Sequence, residues 1–218
     1  MSADTPISGF VGLVIEPDAA TIRAAYELAA ALLPPDAEQV LTHGDLPHVT
    51  LTQCALRGVP RAHVKSLIAR LDRRLKGTRL PLERVVPFPG GFVFWTVDPD
   101  SPERPQLQAA HEEALTLADG GLDPTTNARI VEGTARATGN DVQLVANAQR
   151  YGYAFVNERY LPHITLGFAP GASFVPQLHA HVMTVERVVL ARLGRLGRVE
   201  EVYAVNGSGC NGGCTRFP

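Results

Sequence analysis

Several features that commonly assign a chain to a class are scarce in this sequence. Its 218 residues include three cysteines, Cys54, Cys210 and Cys214, which is not the even framework of a small disulfide-bonded secreted domain. No apolar run approaches the ~20 residues that cross a bilayer, and the first residues lack the basic start and apolar stretch of a signal peptide. We therefore expect a cytoplasmic protein without membrane contact.

Runs of one charge and cofactor motifs are missing as well. The formal net charge is −2 and no run of Lys and Arg occurs, so the sequence offers no obvious electrostatic track for long RNA. It has neither a Lys-centred adenylation motif nor a phosphate-binding Gly-rich loop. These absences agree with a chemistry that needs no nucleotide cofactor.

One motif is present twice. Residues 46–51 read Leu-Pro-His-Val-Thr-Leu and residues 161–166 read Leu-Pro-His-Ile-Thr-Leu. The β-branched residues favour strands, and side chains alternate along a strand. His48 and Thr50 therefore share one face, as do His163 and Thr165. We expect the apolar opposite face of each strand to be anchored in a core.

The paired motifs indicate proton-transfer chemistry. One His on a strand is more often an ordinary core or surface residue, but two in equivalent positions can act as base and acid on one phosphate. A hydroxyl two residues from each imidazole can hold the ligand on which the imidazole acts. The other histidines lack this Thr partner. His179-x-His181 has a metal-ligand spacing but no nearby acidic or Cys cluster, and we expect no metal.

The duplication extends beyond the motifs. Residues 9–11 and 91–93 both read Gly-Phe-Val, and each is followed at the same interval by a Pro-Asp turn, an offset of 82 residues. Residues 83–86 and 186–189 both read Glu-Arg-Val-Val, an offset of 103 residues. Helical periodicity predicts a helix after each Pro-Asp turn, over residues 19–33 and 103–118. These landmarks predict two lobes, residues 9–90 and 91–205, within one domain of residues 1–205.

The two copies differ in length. The histidines are 115 residues apart, so the second copy has 33 extra residues before its His, within residues 119–157. After the His the first copy is longer, and its periodicity predicts a helix over residues 61–75. Inserted segments near a site are often lids or binding loops, so we expect this one to set specificity. A short helix is predicted inside it, over residues 142–149.

Three further side chains are candidates for substrate contact. Tyr151 and Tyr153 could stack on a base or bond a phosphate, or they could simply begin the strand that leads to the second motif. Arg195 lies in a Gly-Arg-Leu-Gly-Arg stretch, whose glycines would allow a close approach to phosphate or merely form a solvated turn. The Gly-rich tail, residues 206–218, is expected to be disordered, and the role of Cys210 and Cys214 within it stays open.

In its paired motifs and their duplicated surroundings, the chain resembles the 2H phosphoesterase superfamily. That group includes cyclic nucleotide phosphodiesterases and the so-called 2′-5′ RNA ligases. The resemblance covers nearly the whole chain apart from the inserted segment and the tail. It implies an α+β fold of two duplicated lobes, whose antiparallel sheets face each other across a cleft with helices on the outside. It also implies that His48 and His163 are catalytic and that Thr50 and Thr165 bind the substrate phosphate.

The resemblance implies phosphodiester cleavage without a metal or other cofactor. The expected substrates are nucleotides or RNA termini with a 2′,3′-cyclic phosphate or a 2′-5′ linkage, with no obligate protein partner. Two alternatives stay open: an RNA ligase that runs the same chemistry in reverse without ATP, and a nucleotide-binding or interaction module without turnover. If both imidazoles have pKa values of about 6.5, the pH profile is bell-shaped and peaks near neutrality.

Overall fold

The computed structural model describes residues 5–171 and 174–203, and the tail with Cys210 and Cys214 lies outside them. In this part of the chain, helices combine with an antiparallel sheet, which confirms the predicted α+β class. The elements are, in chain order, β1 (Ile7–Pro17), α1 (Ala19–Leu32), β2 (Gln39–Val40), β3 (Val49–Val59), α2 (Arg61–Leu75), β4 (Arg79–Phe88), β5 (Phe92–Val97), α3 (Arg104–Ala114), a 3₁₀ helix (Leu115–Gly120), α4 (Pro124–Ala137), α5 (Val142–Tyr151), a 3₁₀ turn (Asn157–Arg159), β6 (His163–Phe168), β7 (Gln177–Leu193), a second 3₁₀ turn (Arg195–Gly197) and β8 (Val199–Val202).

The strands pair in the order β1-β3-β6-β5-β4-β7-β8, with β2 alongside β6. Strand β7 is 17 residues long. Its first part, up to Thr184, pairs with β4, and its second part, from Val185 to Arg192, pairs with β1. Because β1 also pairs with β3, the strand order closes on itself. The two separate sheets that the resemblance implies are thus one eight-stranded sheet, joined through β7 and through the pairing of β3 with β6.

Helices α1, α2 and α3 pack on one face of this sheet. Val49 and Ile164, which alternate with the polar motif residues, are fully buried in a core that includes side chains of α1, α2 and α3. Since side chains alternate along a strand, Thr50 and Thr165 lie on the face opposite the helices. Helix α2 spans the predicted residues 61–75, and its buried face consists of Val64, Leu67, Ile68, Leu71 and Leu75.

The inserted segment, residues 119–157, forms two helices. The sequence predicts only the second of them, and the first, α4, contains Gly133, a residue that weakens a helix. Local capping nevertheless starts a helix there. The Asp123 carboxylate accepts a hydrogen bond from the Thr126 backbone N–H at 2.8 Å, and Pro124 fits the first turn. Helix α5 runs on to Tyr151 and ends at Gly152, whose φ of 74° favours glycine. Within the described ranges, no helix is long and apolar enough to cross a membrane.

Candidate active site

The two motifs meet where strands β3 and β6 begin. Val49 pairs with Ile164 across these antiparallel strands, and the two residues hold the same position in the two motifs. Because the strands are antiparallel, His48 is opposite Thr165 on one side of this pair, and Thr50 is opposite His163 on the other side. The structure therefore brings together all four residues that the motifs single out, on the face opposite helices α1, α2 and α3.

Each motif imidazole is tied to the backbone in the same way. Nδ1 of His48 lies 2.8 Å from the carbonyl oxygen of Leu46, and Nδ1 of His163 lies 2.6 Å from that of Leu161. A carbonyl oxygen can only accept, so Nδ1 carries the proton and donates it in both rings. In the neutral imidazole the Nε2 lone pair is then left for a substrate.

The pKa values of both motif imidazoles are lowered, contrary to the value of about 6.5 expected from the sequence. Burial lowers the pKa of His48, opposed by its bond to Leu46. Burial also lowers the pKa of His163, to about 4, against the bond to Leu161, and the nearby charge of His48 lowers it further. The expectation of unperturbed imidazoles is therefore wrong. At neutral pH His163 is therefore the neutral ring.

Aromatic side chains line the site beside the second motif. The ring of Phe94 stacks on the imidazole of His163, with ring centroids 3.6 Å apart and an angle of 21° between the planes. Phe88 contacts Phe94 at 4.8 Å, and Phe155 meets Phe88 edge-on at 5.2 Å. Tyr153 lies 6.0 Å from Phe155. A row of rings therefore leads from His163 to the end of the inserted segment.

The site beside the first motif is aliphatic instead. Thr165 pairs with Phe94, whereas Thr50 pairs with Val14 on β1. Val14 belongs to a separate small cluster on this side of the sheet. Its buried members are Val14, Val189, Ala191 and Leu193, with Phe10, Val199 and Val202 packed against them. The two histidines thus share their tethers but not their surroundings.

The three further candidates, Tyr151, Tyr153 and Arg195, occupy different places. Tyr153 is half-buried at the end of the aromatic row, and burial raises the pKa of its hydroxyl to about 12. Tyr151 ends α5, and its ring lies 5.0 Å from the guanidinium of Arg150. Arg195 forms an ion pair with Glu38, so its charge is already compensated in the ligand-free protein.

A buried pair that the sequence does not indicate connects the two motif strands. Nδ1 of His111 donates to the carbonyl of Leu51 at 2.6 Å, and its Nε2 accepts from the backbone N–H of Asn157 at 2.9 Å. The ring of Tyr160 stacks on His111 with centroids 3.9 Å apart, and its hydroxyl donates to the carbonyl of Thr50 at 3.1 Å. This His111–Tyr160 pair ties the first motif strand to the segment that enters the second motif.

Side chains of helices α1 and α3 bind the backbone just before each motif. The hydroxyl of Tyr26 on α1 donates to the Asp45 carbonyl at 2.6 Å, and Arg104 on α3 donates to the Tyr160 carbonyl at 2.8 Å. Asp45 and Tyr160 each stand three residues before a motif histidine. The Asp45 carboxylate also accepts from Arg198 at 2.8 Å. Arg198, like Arg195, is therefore paired with a carboxylate.

Two cavities lie away from the four motif residues. One, of about 710 Å³, is lined by the segment after α1 and by the ends of β5 and β6. The other, of about 520 Å³, lies between α1 and the start of β7 and is lined in part by His179 and His181. Nε2 of His181 lies 3.0 Å from the Thr21 hydroxyl, and Nε2 of His179 lies 3.2 Å from the Gln177 amide oxygen.

Known proteins share the fold of this chain. No family model and no curated protein matches the sequence. E. coli LigT complexed with 3′-AMP is 18% identical, with a TM-score of 0.50 over 85% of this chain and 88% of that chain. LigT complexed with NADP+ is 17% identical, with a TM-score of 0.51 over 86% and 90%. TT0787 of Thermus thermophilus is 20% identical, with a TM-score of 0.51 over 92% and 100%. The chain therefore has the fold of LigT and TT0787.

Proposed function

We propose that this protein is a metal-independent phosphodiesterase that hydrolyses 2′,3′-cyclic phosphates or 2′-5′ phosphodiester bonds in nucleotides or RNA ends. One observation carries the proposal. Two imidazoles with the same Nδ1 tether flank the Val49–Ile164 pair, and each has a threonine two residues away on the same face. This arrangement supports a base and an acid that act on a single phosphate.

In the proposed reaction, one neutral imidazole takes a proton at Nε2 from the water that attacks phosphorus. The other imidazole, protonated, gives its Nε2 proton to the departing ribose oxygen as the P–O bond to that oxygen breaks. Each transfer contributes roughly 10²–10⁴ in rate. The hydroxyls of Thr50 and Thr165 donate to the non-bridging oxygens, where charge develops in the transition state. The products are a phosphate monoester and a free ribose hydroxyl.

We also propose that the chain consists of two repeats, which form lobes on either side of the site. Strand pairings support this, because β1 pairs with β7 as β5 pairs with β4. Val14 on β1 pairs with Val189 on β7, and Phe94 on β5 pairs with Val86 on β4. The offset is 80 residues from β1 to β5 and 103 residues from β4 to β7. The pairing also skips Leu51 in β3 and Leu166 in β6, which are equivalent positions. The 80-residue offset is two fewer than the Gly-Phe-Val landmarks indicate.

A nucleotide is the best-supported substrate. The aromatic row beside His163 includes half-buried rings at Phe88 and Phe155. Aromatic faces stack on nucleobases without much sequence preference, at about 1–3 kcal/mol per base. Two structures of LigT, which has the same fold, contain 3′-AMP and NADP+. Both ligands carry a nucleobase, a ribose and phosphate.

A panel of substrates tests the proposal. Purified protein is incubated, with chelator present, with 2′,3′-cyclic mononucleotides, 2′-5′-linked dinucleotides and cyclic dinucleotides, and the products are resolved by chromatography. Hydrolysis of one of the first two classes is expected. In a parallel incubation of RNA ends without ATP, joined ends would instead identify a ligase. Binding of these compounds without turnover would contradict the proposal and favour an interaction module.

A further inference from the structure

The repeated Glu-Arg-Val-Val stretch aims two arginines at the face that carries the histidines. The pairing of β4 with β5 skips Glu83, and the pairing of β7 with β1 skips Glu186. Such shifts re-aim the side chains that follow them. Val85 and Val188, one residue further on, are buried in the main core. Because side chains alternate, Arg84 and Arg187 lie on the opposite face, with the motif residues.

Each arginine stands in a row that crosses the sheet toward one histidine. Arg84 pairs with Thr96 on β5, and Thr96 pairs with His163 on β6. Neighbouring strands are about 4.8 Å apart, so two strand spacings separate the backbones of Arg84 and His163. Arg187 pairs with Glu16 on β1. Glu16 and His48 are each one residue from the Ile15–Val49 pair, so Glu16 stands opposite His48. The rows occupy equivalent places in the two repeats.

The two arginines differ in what faces them. Nε of Arg187 lies 2.7 Å from Oε2 of Glu16, whose side chain is only 14% exposed, so this charge is matched across the strands. The position across from Arg84 is a threonine, and the Thr96 hydroxyl donates to the Arg84 carbonyl at 3.1 Å. Nε of Arg84 is 3.4 Å from Oε1 of its neighbour Glu83, and the Arg84 side chain is 60% exposed. An exposed pair of this kind is weak and gives way readily to a stronger anion.

We propose that Arg84 forms a second anion subsite on the His163 side of the site, which takes a substrate phosphate other than the one that is cleaved. A guanidinium suits this task because its planar fork donates two parallel hydrogen bonds to phosphate oxygens. The inference rests on the proposed function, since it needs the scissile phosphate to lie between His48 and His163. The second phosphate can be a 5′-phosphate on the same nucleoside or the next phosphodiester of a short RNA.

The test compares substrates that differ only in this second phosphate. Values of kcat/KM are measured for adenosine 2′,3′-cyclic phosphate with and without a 5′-phosphate, and for the dinucleotide that ends in the same cyclic phosphate. The wild-type protein is expected to prefer at least one substrate with the second phosphate. In Arg84→Gln that preference should fall about tenfold, the loss of one charge-assisted contact. Arg84→Lys should restore part of it. Which substrate responds distinguishes the 5′-phosphate from the phosphodiester.

The matched control is the double substitution Glu16→Gln with Arg187→Gln, which removes the repeat-equivalent arginine without leaving an unpaired carboxylate. Its preference for the second phosphate should equal that of the wild type. An equal loss in the control and in Arg84→Gln, or no loss in Arg84→Gln, overturns the proposal. If no substrate is turned over, the proposed function fails separately. Titration calorimetry with adenosine 3′,5′-bisphosphate and 3′-AMP then tests the subsite. Arg84→Gln must still weaken the binding of the bisphosphate and leave the affinity for 3′-AMP unchanged.

Discussion

Val49 of the first motif pairs with Ile164 of the second, so the strands that carry the two candidate catalytic histidines are joined at equivalent residues. This contact brings two titratable rings together on one face of the sheet. The protonation of the two rings is also linked, because the charge of His48 lowers the pKa of His163. Interacting groups of this kind titrate as a pair, with two macroscopic pKa values.

The lowered imidazole pKa values predict an acidic optimum for the free enzyme. Catalysis needs one protonated and one neutral ring, so kcat/KM peaks between the two macroscopic pKa values. Both shifts are downward, which places that peak below about pH 6.5. A bound phosphate anion favours the protonated rings, so the kcat profile should lie at higher pH. Steady-state rates across the acid and neutral range measure both. A kcat/KM maximum at or above neutrality would contradict the site as described.

The Tyr160 hydroxyl should matter for turnover more than for affinity. Tyr160→Phe keeps the stack on His111 but removes the hydrogen bond to the Thr50 carbonyl. We expect a loss of about 0.5–1.5 kcal/mol in unfolding free energy, and a several-fold fall in kcat with little change in KM. Tyr203→Phe, at a tyrosine that packs on the core after β8, serves as the control. Equal kinetic effects of the two substitutions would show that Tyr160 does not position the motif.

Stability should rise with pH through the range in which unfolded histidines lose their protons. Burial lowers the pKa of His48, His111 and His163 in the folded protein. Between those lowered values and about 6.5, the unfolded chain binds more protons than the folded one, so acid destabilises the fold. His111→Gln should reduce the slope of unfolding free energy against pH, as measured by urea denaturation. An unchanged slope would mean that His111 does not contribute.

Removing the ring that covers His163 should raise its pKa. Phe94→Leu takes away the stacked ring, lets water reach the imidazole and weakens the main cause of the shift, which is burial. We expect the pKa of His163, followed by NMR, to move from about 4 toward its ordinary value. Phe92→Leu is the comparison, because that ring lies against Phe94 at 5.7 Å. If the pKa of His163 is unchanged in Phe94→Leu, the Phe94 ring is not what shields the imidazole from solvent.

The sequence predicted what local patterns encode. The four motif residues and helix α2 follow from alternation and helical periodicity, and the structure places them as predicted. The role of His111 does not follow, because it depends on the Leu51 carbonyl. The β1–β3 pairing skips Leu51, so its carbonyl takes a partner from α3, whereas the equivalent Leu166 carbonyl accepts from the Leu41 N–H at 2.8 Å. Such partners come from distant parts of the chain and leave no local signal.

Helix α4 and the orientation of Arg84 show the same limit. Within the inserted segment the sequence predicts only the helix over residues 142–149, whereas the structure also has α4, which begins at the capping carboxylate of Asp123 and continues through Gly133. The Glu-Arg-Val-Val repeat is visible in the sequence as a landmark, but only the strand register shows that its glutamates are skipped in the pairing and its arginines face the site.

The central claim is that His48 and His163 act together on one phosphate, and their joint substitution tests it most directly. With a 2′,3′-cyclic mononucleotide and chelator present, His48→Ala and His163→Ala should each lower kcat/KM by roughly 10²–10⁴. Because residues that act as a unit are not additive, the double substitution should lose little more than either single one. Hydrolysis that survives either single substitution at wild-type rate would contradict the account.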